Sequence, residues 1–156
     1  MHIRLLAVGD RQPAWVDDAV TTYAGRFPRE WGFRLDVIPT AHRNKNDRSD
    51  RAMATEGERI LASIDRGELV VLLDERGRQL DSRGLAGKLA HWQSDGRDVC
   101  FVIGGPDGVA ADCRARADFT WSLSQLTLPH GMARVLVAEQ LYRAYSLLTG
   151  HPYHRD

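Results

Sequence analysis

The chain has 156 residues, of which 43% are hydrophobic and 27% are charged, a composition typical of one folded domain and not of a disordered chain. The 21 Lys and Arg residues balance 21 Asp and Glu residues, so no overall positive field indicates a nucleic-acid-binding protein, although a local basic patch would suffice. Two cysteines are too few for a disulfide framework and no apolar run reaches membrane-spanning length, so we expect a cytoplasmic protein.

The first half of the chain alternates predicted strands with predicted helices. Two segments predict strands: an apolar run at residues 3–8 that ends at a glycine, and an alternating apolar and polar segment at residues 33–38 that ends at a proline. Apolar residues at helical spacing predict two helices, at residues 13–27 and 49–64. On the second helix we expect Ile60 to face inward and Glu56 or Glu58 to face solvent.

A polar segment at residues 40–51 separates the second strand from the second helix. It is about a dozen residues long, which is long for a loop of a compact domain and therefore suggests a function. Its basic residues are His42, Arg43, Lys45, Arg48 and Arg51. They form either a contact to nucleic-acid phosphates or an ordinary solvated loop.

The second half continues the alternation of strands and helices. Continuous apolar runs predict strands covered on both faces, at residues 69–73 and 99–103, and a shorter strand is predicted at residues 119–123. Ser82 is a suitable N-cap for a third helix, and a short helix is expected at residues 110–116. The best helical pattern of the chain begins at Met132 and gives one wide apolar face for the core or for an interface.

Three loops with unusual residues follow three of these strands. They are DERG at residues 74–77, GGPDG at residues 104–108 and SLSQLTL at residues 122–128. In a parallel sheet the carboxyl ends of the strands share one edge, where ligands bind. The sequence therefore predicts one α/β domain with a mostly parallel sheet of about five strands, flanked by helices, and a pocket where the three loops meet.

Four blocks in a fixed order carry a resemblance to a known family. They are LDERG at residues 73–77, FVIGGPDG at residues 101–108, WSLSQLTLPHGMARVLVAEQLYRA at residues 121–144 and HPYHR at residues 151–155. Together they resemble the bacterial RlmH family over the whole chain. Members of that family are SPOUT-class methyltransferases that use S-adenosylmethionine to methylate N3 of a pseudouridine in 23S ribosomal RNA.

The resemblance implies a fold and partners that the residue pattern alone does not. It implies a trefoil knot in the C-terminal half of the chain, with the cofactor bound in the knot, and a homodimer whose interface uses the last helix. It also implies an RNA substrate that is recognised within the assembled ribosome. No metal and no membrane take part in this reading.

The same resemblance implies which residues contact S-adenosylmethionine. They are Leu73, Gly104, Leu123, Ser124, Gln125, Leu126, Thr127 and Leu128, with Gly105 beside them. The chemistry agrees, because adenine and methionine need apolar walls and backbone donors and acceptors, which such loops supply. GGPDG is not a G-x-G-x-x-G fingerprint, and this counts against a dinucleotide site.

Catalysis requires alignment of donor and nucleophile and removal of the N3 proton. We predict that Tyr153, His154 and Arg155 line the RNA side of the site, with Arg155 suited to a phosphate. The sequence does not identify the base. His130 has two readings, a catalytic group or a residue that satisfies backbone groups at a helix start.

Several other residues allow two interpretations. His151 and His154 have a spacing that metal ligands use, but no carboxylate or thiolate cluster accompanies them. Arg134 and Glu139 either touch RNA or form ordinary ion pairs, such as Glu139 with Arg143. Of the four tryptophans, only Trp31 is expected at the surface.

Two other functions compete with methyl transfer. A non-catalytic ribosome-associated factor would keep the fold without turnover, which the intact LSQLTLPH and IGGPDG blocks disfavour. A small α/β hydrolase would need G-x-S-x-G after a strand, and the sequence has no such motif.

Overall fold

The computed structural model describes residues 1–44 and 49–155. In this part of the chain a single five-stranded sheet is present, with every neighbouring pair of strands parallel and the order β2-β1-β4-β3-β5. The strands are β1 (Ile3–Val8), β2 (Phe33–Ile38), β3 (Leu69–Gln79), β4 (Val99–Ile103) and β5 (Phe119–Ser122). The predicted α/β class and parallel sheet are confirmed.

Five α-helices connect and cover the strands within the described residues. They are α1 (Ala14–Ala24), α2 (Ser49–Ser63), α3 (Ser82–Ser94), α4 (Ala111–Arg116) and α5 (His130–Thr149). A short 3-10 turn precedes β2 at Arg29–Trp31, and another follows α5 at Pro152–His154. None of the described helices is long and apolar enough to cross a membrane.

The sheet is covered on both faces, as the continuous apolar runs predict. Because successive side chains of a strand point to opposite faces, Leu5 and Leu6 of β1 enter two different cores. One core lies under α1, α3 and α5, and the other lies under α2 and α4. Phe101 belongs to the first core, where its ring makes edge contacts with the rings of Trp92 and Trp121.

Helix boundaries follow local capping chemistry. The N-cap of α3 is Asp81, whose carboxylate accepts a hydrogen bond of 2.6 Å from the Gly84 amide, so the prediction of Ser82 as the cap is wrong by one residue. Asp81 has the extended backbone of an N-cap, whereas Ser82 is already helical. The C-cap of helix α5 is Gly150, which has a left-handed backbone conformation with φ 70°.

Strand β3 is longer than its apolar part. We predicted a turn at residues 74–77, but β3 resumes pairing with β5 after an irregularity between Leu73 and Arg78. The bulging residues are held by a hydrogen bond of 2.8 Å from the Arg76 amide to the Asp74 carboxylate. Gly77 passes so close to β5 that a Cβ atom there would lie 2.7 Å from the Thr120 carbonyl carbon.

Two tryptophans are placed differently from the prediction. Trp31 is buried, and its ring packs edge-on against the Tyr145 ring with centroids 5.2 Å apart. Trp15, which was expected in the core, is 53% exposed on α1 because Val16 and Val20 take the inward face of that helix.

Candidate functional site

The three predicted loops meet at the carboxyl edge of the sheet and enclose a pocket of about 560 Å³. Its walls come from the bulge of β3, from the loop after β4 and from the loop between β5 and α5. His130 and Ala133 of the first turn of α5 close one side. The volume is in the range of pockets that bind cofactor-sized molecules.

Most residues that the resemblance assigns to the cofactor line this pocket. They are Leu73, Gly104, Gly105, Leu123, Ser124, Leu126, Thr127 and Leu128. Gln125 belongs to the same loop but is not among the lining residues. Leu126 is 74% exposed, which leaves a large apolar side chain open at the pocket wall.

The serine hydroxyls of the β5–α5 loop hold its shape. The Ser122 hydroxyl donates to the Ser124 carbonyl at 3.0 Å, and the Ser124 hydroxyl accepts from the Leu126 amide at 2.9 Å. Both hydroxyls therefore serve the loop backbone. Within the described residues, the only buried side-chain N or O atom without a hydrogen-bond partner is Trp121 Nε1, and Trp121 lines the pocket. This N–H is a buried donor that makes no hydrogen bond in the described part of the chain.

Glycines let the backbone of the β4 loop come close to its neighbours. A Cβ atom on Gly104 would lie 2.6 Å from Val109 Cγ1 and 2.9 Å from the Gly108 carbonyl oxygen. A Cβ atom on Gly105 would lie 2.6 Å from Glu56 Oε1. No side chain fits at either position unless the pocket wall moves.

We expect Gly104→Ala to weaken S-adenosylmethionine binding by about tenfold or more, since overpacking costs about 1–3 kcal/mol. Isothermal titration calorimetry measures the effect. The matched control is Gly87→Ala, at a position on α3 where a Cβ atom meets nothing within 4 Å. Equal affinities of the two variants would contradict the assignment of Gly104 to the cofactor site.

A buried ion pair supports the β4 loop from below. Glu56 is 1% exposed and accepts hydrogen bonds from the Ala41 amide at 2.9 Å and from Arg43 Nη1 at 2.8 Å. Arg43 Nε also donates to Asp107 of the loop at 2.9 Å. The hydrogen bonds with Glu56 raise the pKa of the Arg43 guanidinium above its usual range.

This ion pair bears on two predictions. Of the two glutamates of α2 named as solvent-facing, Glu58 is exposed and Glu56 is not, because Glu56 stands one turn before the buried Ile60 on the inward side of the helix. Arg43 of the basic segment is engaged by two carboxylates of the same chain, so its charge is already neutralised. Lys45 and Arg48, which belong to the same prediction, lie outside the described residues.

The mouth of the pocket also carries a charged pair. Asp74 Oδ2 lies 2.6 Å from Arg114 Nη2. Burial disfavours the charged form of Asp74, but the hydrogen bond from the Arg76 amide and the Arg114 guanidinium outweigh it and lower the pKa of the carboxyl. Arg114 lines the pocket and was not singled out by the sequence, because a basic residue on a short helix gives no signal of its own.

His130 joins the start of α5 to the pocket loop and to a buried arginine. Its ring hydrogen-bonds to the Gly104 backbone, and its Nε2 accepts from Arg134 Nε at 2.9 Å. Burial and the nearby Arg134 charge lower the pKa of His130, so the ring is neutral at pH 7. Both ring nitrogens are occupied, which agrees with the structural reading of His130 and not with a base.

Tyr153, His154 and Arg155, which we call the tail, do not line the pocket of their own chain. The Tyr153 hydroxyl donates to Glu139 Oε1 at 2.9 Å, and His154 Nδ1 lies 3.1 Å from the Ser146 hydroxyl. Ser146 lies 16 residues after His130, so His154 is held about 24 Å along α5 from the pocket. Arg155 is exposed, with φ 55°.

The two histidines near the end of the chain have local partners. His151 Nδ1 accepts a hydrogen bond of 3.2 Å from the Tyr153 amide, and His154 contacts Ser146. Residues 1–44 and 49–155 contain no group of three or more His, Cys, Asp or Glu side chains that would hold a metal ion. The predicted ion pair between Glu139 and Arg143 is present at 2.7 Å.

Comparison with known proteins shows which family the chain resembles. A family model described as "Predicted SPOUT methyltransferase" matches residues 1–154. Ribosomal RNA large subunit methyltransferase H of Thioalkalivibrio sulfidiphilus (strain HL-EbGR7) is 51% identical over 156 residues, which are 100% of both chains. A solved structure of a probable methylase family protein from Haemophilus influenzae Rd KW20 has a TM-score of 0.58 and 16% identity, covers 97% of this chain and 67% of its own, and supports the fold alone.

Proposed function

Since the chain belongs to the SPOUT methyltransferase family, we propose that it transfers the methyl group of S-adenosylmethionine to N3 of a pseudouridine in 23S ribosomal RNA. The pocket formed by the three loops carries this proposal, because it gathers the family's motif residues at one edge of the sheet. The name of the T. sulfidiphilus relative supports a substrate in the large ribosomal subunit.

The pocket suits S-adenosylmethionine in its chemistry. Leu73, Leu126 and Leu128 provide apolar walls for adenine and for the methionine chain, and the backbone at Gly104 allows close approach. The bound sulfonium supplies an activated methyl group, so the protein chiefly holds and orients the reactants.

We propose that the protein works as a homodimer whose interface uses α5. Met132 and Leu148 of α5 are 39% and 37% exposed, and Trp15 of the neighbouring helix α1 is also exposed. Exposed large apolar side chains on packed helices are typical of an interface. The trefoil knot implied by the resemblance stays a prediction beside this proposal.

The dimer also gives the tail a role. Within one chain the tail is anchored to Glu139 and Ser146 of α5, away from the pocket. Tyr153, His154 and Arg155 therefore contribute to the reaction only if a second copy brings its tail to the pocket of the first. This arrangement keeps the predicted RNA-facing role of the three residues.

Methyl transfer from labelled S-adenosylmethionine to ribosomes tests the function. The acceptors are 70S particles, 50S particles and free 23S RNA from a strain that lacks this protein, and labelled nucleosides are mapped afterwards. We expect label in N3-methylpseudouridine, with an assembled particle as the better acceptor. Cofactor binding without label on any acceptor would contradict the proposal and favour the non-catalytic ribosome-associated factor.

A further inference from the structure

A second cleft, of about 370 Å³, opens beside the pocket at the carboxyl ends of β1 and β2. Residues 8–12 and Thr40 form most of its lining. Pro106 and His130 line both the cleft and the pocket, so the two spaces adjoin there. We call this space the Gly9 cleft. No sequence motif predicted the Gly9 cleft.

Three polar groups from different parts of the chain converge at Gly9. The backbone of Gly9 has φ 123°, and a Cβ atom there would be in van der Waals contact with three polar side-chain atoms. That point lies 3.4 Å from Arg134 Nη2, 3.4 Å from Gln12 Nε2 and 3.8 Å from Thr40 Oγ1. Guanidinium and amide nitrogens only donate hydrogen bonds, and a hydroxyl also donates. Gln12 and Thr40, which line the cleft, therefore offer donors to an oxygen acceptor of a bound molecule.

Arg134 is unusual among these groups because it is a buried cation without an acidic partner. It is 1% exposed, and no carboxylate of the described residues lies within ion-pair distance. Its Nη2 donates to the Gly9 carbonyl at 2.6 Å, and its Nε donates to His130. Burial of a charge without a counter-charge lowers the stability of the folded protein, so stability does not explain why this arginine is buried. Arg134 is joined to the wall of the cleft by these hydrogen bonds, because Gly9 and His130 both line it.

We propose that the Gly9 cleft binds the uracil-type ring of the acceptor nucleotide and that Arg134 stabilises the ring after N3 has lost its proton. The inference rests on the proposed function and adds a site for the acceptor. Gln12 and Thr40 donate to a ring carbonyl oxygen at the mouth of the cleft. The negative charge of the deprotonated imide spreads over N3 and its two neighbouring carbonyl oxygens, which matches a cluster of donors beside a cation.

The reaction balances with the groups named. The N3 proton leaves to solvent, the N3 lone pair forms the new bond to the methyl carbon, and the carbon–sulfur bond breaks with its electrons remaining on sulfur. The wall shared by the two spaces, at Pro106 and His130, sets where acceptor and donor meet. Arg134 does not accept the N3 proton. Its positive charge stabilises the deprotonated ring electrostatically, and this effect is stronger in the buried interior than in water.

The first test is the double variant Gln12→Ala/Thr40→Val. Gln12 is half-buried and Thr40 is exposed, so we expect the variant to fold. We expect kcat/KM for ribosomes to fall about ten- to hundredfold, because two hydrogen bonds to the acceptor are lost, while the cofactor Kd stays unchanged. Affinity for ribosomes in the presence of S-adenosylhomocysteine falls as well, which reports binding without turnover.

The matched control is Gln93→Ala/Thr22→Val, which removes the same groups from exposed positions on α3 and α1. It is expected to keep the wild-type kcat/KM. If wild-type protein labels ribosomes and both double variants do so equally well, the inference is wrong while the proposed function stands. If wild-type protein labels nothing, the proposed function itself is wrong.

The second test is the pH dependence of kcat/KM in Arg134→Gln and Arg134→Lys. Other charged or titratable groups around Arg134 and the cleft are His130, Asp10, Arg11 and Asp17. Because a nearby cation favours the deprotonated ring, its loss is expected to move the rising limb of the profile to higher pH by about one unit or more. Arg134→Lys keeps the charge and keeps the limb near its wild-type position.

A purely structural Arg134 gives a different result. It would lower the rate equally at every pH and leave the limb in place, and that outcome overturns the inference for Arg134. Should Arg134→Gln fail to fold, the double variant Gln12→Ala/Thr40→Val, which leaves Arg134 in place, still tests whether the cleft binds the acceptor.

Discussion

Removal of residues 153–156 is expected to abolish methyl transfer while S-adenosylmethionine still binds with about wild-type affinity. The tail does not line the pocket of its own chain, so its loss leaves the cofactor walls in place. Tyr153→Phe and His154→Ala are milder forms of the same change, and we expect each to lower kcat more than it raises KM. A tail-less protein with normal kcat would contradict the proposed role of Tyr153, His154 and Arg155.

Mixing two inactive variants tests whether the tail acts across a dimer. One chain lacks the tail, and the other carries Gly104→Ala and is assayed at a cofactor concentration too low to fill its weakened pocket. In a mixed dimer the intact pocket of one chain receives the intact tail of the other. Random exchange of subunits is then expected to restore up to about a quarter of the wild-type sites.

The control for this experiment is each variant alone, which is expected to stay inactive. If the tail served the pocket of its own chain, every site in the mixture would lack either a tail or a cofactor, and no activity would return. The proteins are mixed under conditions that allow subunit exchange, and exchange is followed by mass spectrometry of the intact dimers. Full exchange without activity contradicts action in trans.

Arg43→Ala is expected to lower the free energy of unfolding by about 3 kcal/mol or more, because it leaves the buried Glu56 carboxylate without a counter-charge. Glu56 is 1% exposed and would keep only the hydrogen bond from the Ala41 amide. Asp107 of the pocket loop would lose its partner as well. Urea unfolding followed by tryptophan fluorescence measures the change.

An exposed arginine provides the matched control for Arg43. Arg34 pairs with Asp36 at 3.0 Å, but its side chain is 67% exposed. Arg34→Ala is therefore expected to cost no more than about 1 kcal/mol. Adding Glu56→Gln to Arg43→Ala removes the uncompensated charge and is expected to recover part of the loss. Equal losses for Arg43→Ala and Arg34→Ala would contradict the importance of the buried pair.

Much of the fold follows from local sequence patterns. Three strands begin and end where they are predicted, at residues 3–8, 33–38 and 99–103, because each is a short apolar or alternating segment bounded by turn residues. The continuation of β3 beyond Leu73 was missed because its residues are polar and are held in the strand by pairing with β5. Local composition does not carry that tertiary information.

The position of the pocket was predictable for a general reason, since loops after parallel strands share one edge of the sheet. The buried charged groups near the pocket were not predictable from the sequence. Glu56 and Arg134 look like surface charges on amphipathic helices, and their burial depends on what distant segments bring to them. Trp31 was expected at the surface, but it packs on Tyr145, which lies 114 residues away in the sequence.

The position of α5 bears on how the chain folds as it is made. This helix packs against α1 and α3 and shares their core, yet it is the last α-helix among the described residues to be synthesised. The apolar sides of α1 and α3 stay uncovered until α5 arrives, and β1 must wait for β4, about 96 residues later, to gain its second neighbour. Late, long-range closure of this kind makes folding slow and exposes apolar surface on the nascent chain. We therefore expect completion of the fold to be largely post-translational, with the unfinished chain as a natural client for chaperones at the exit of the ribosome.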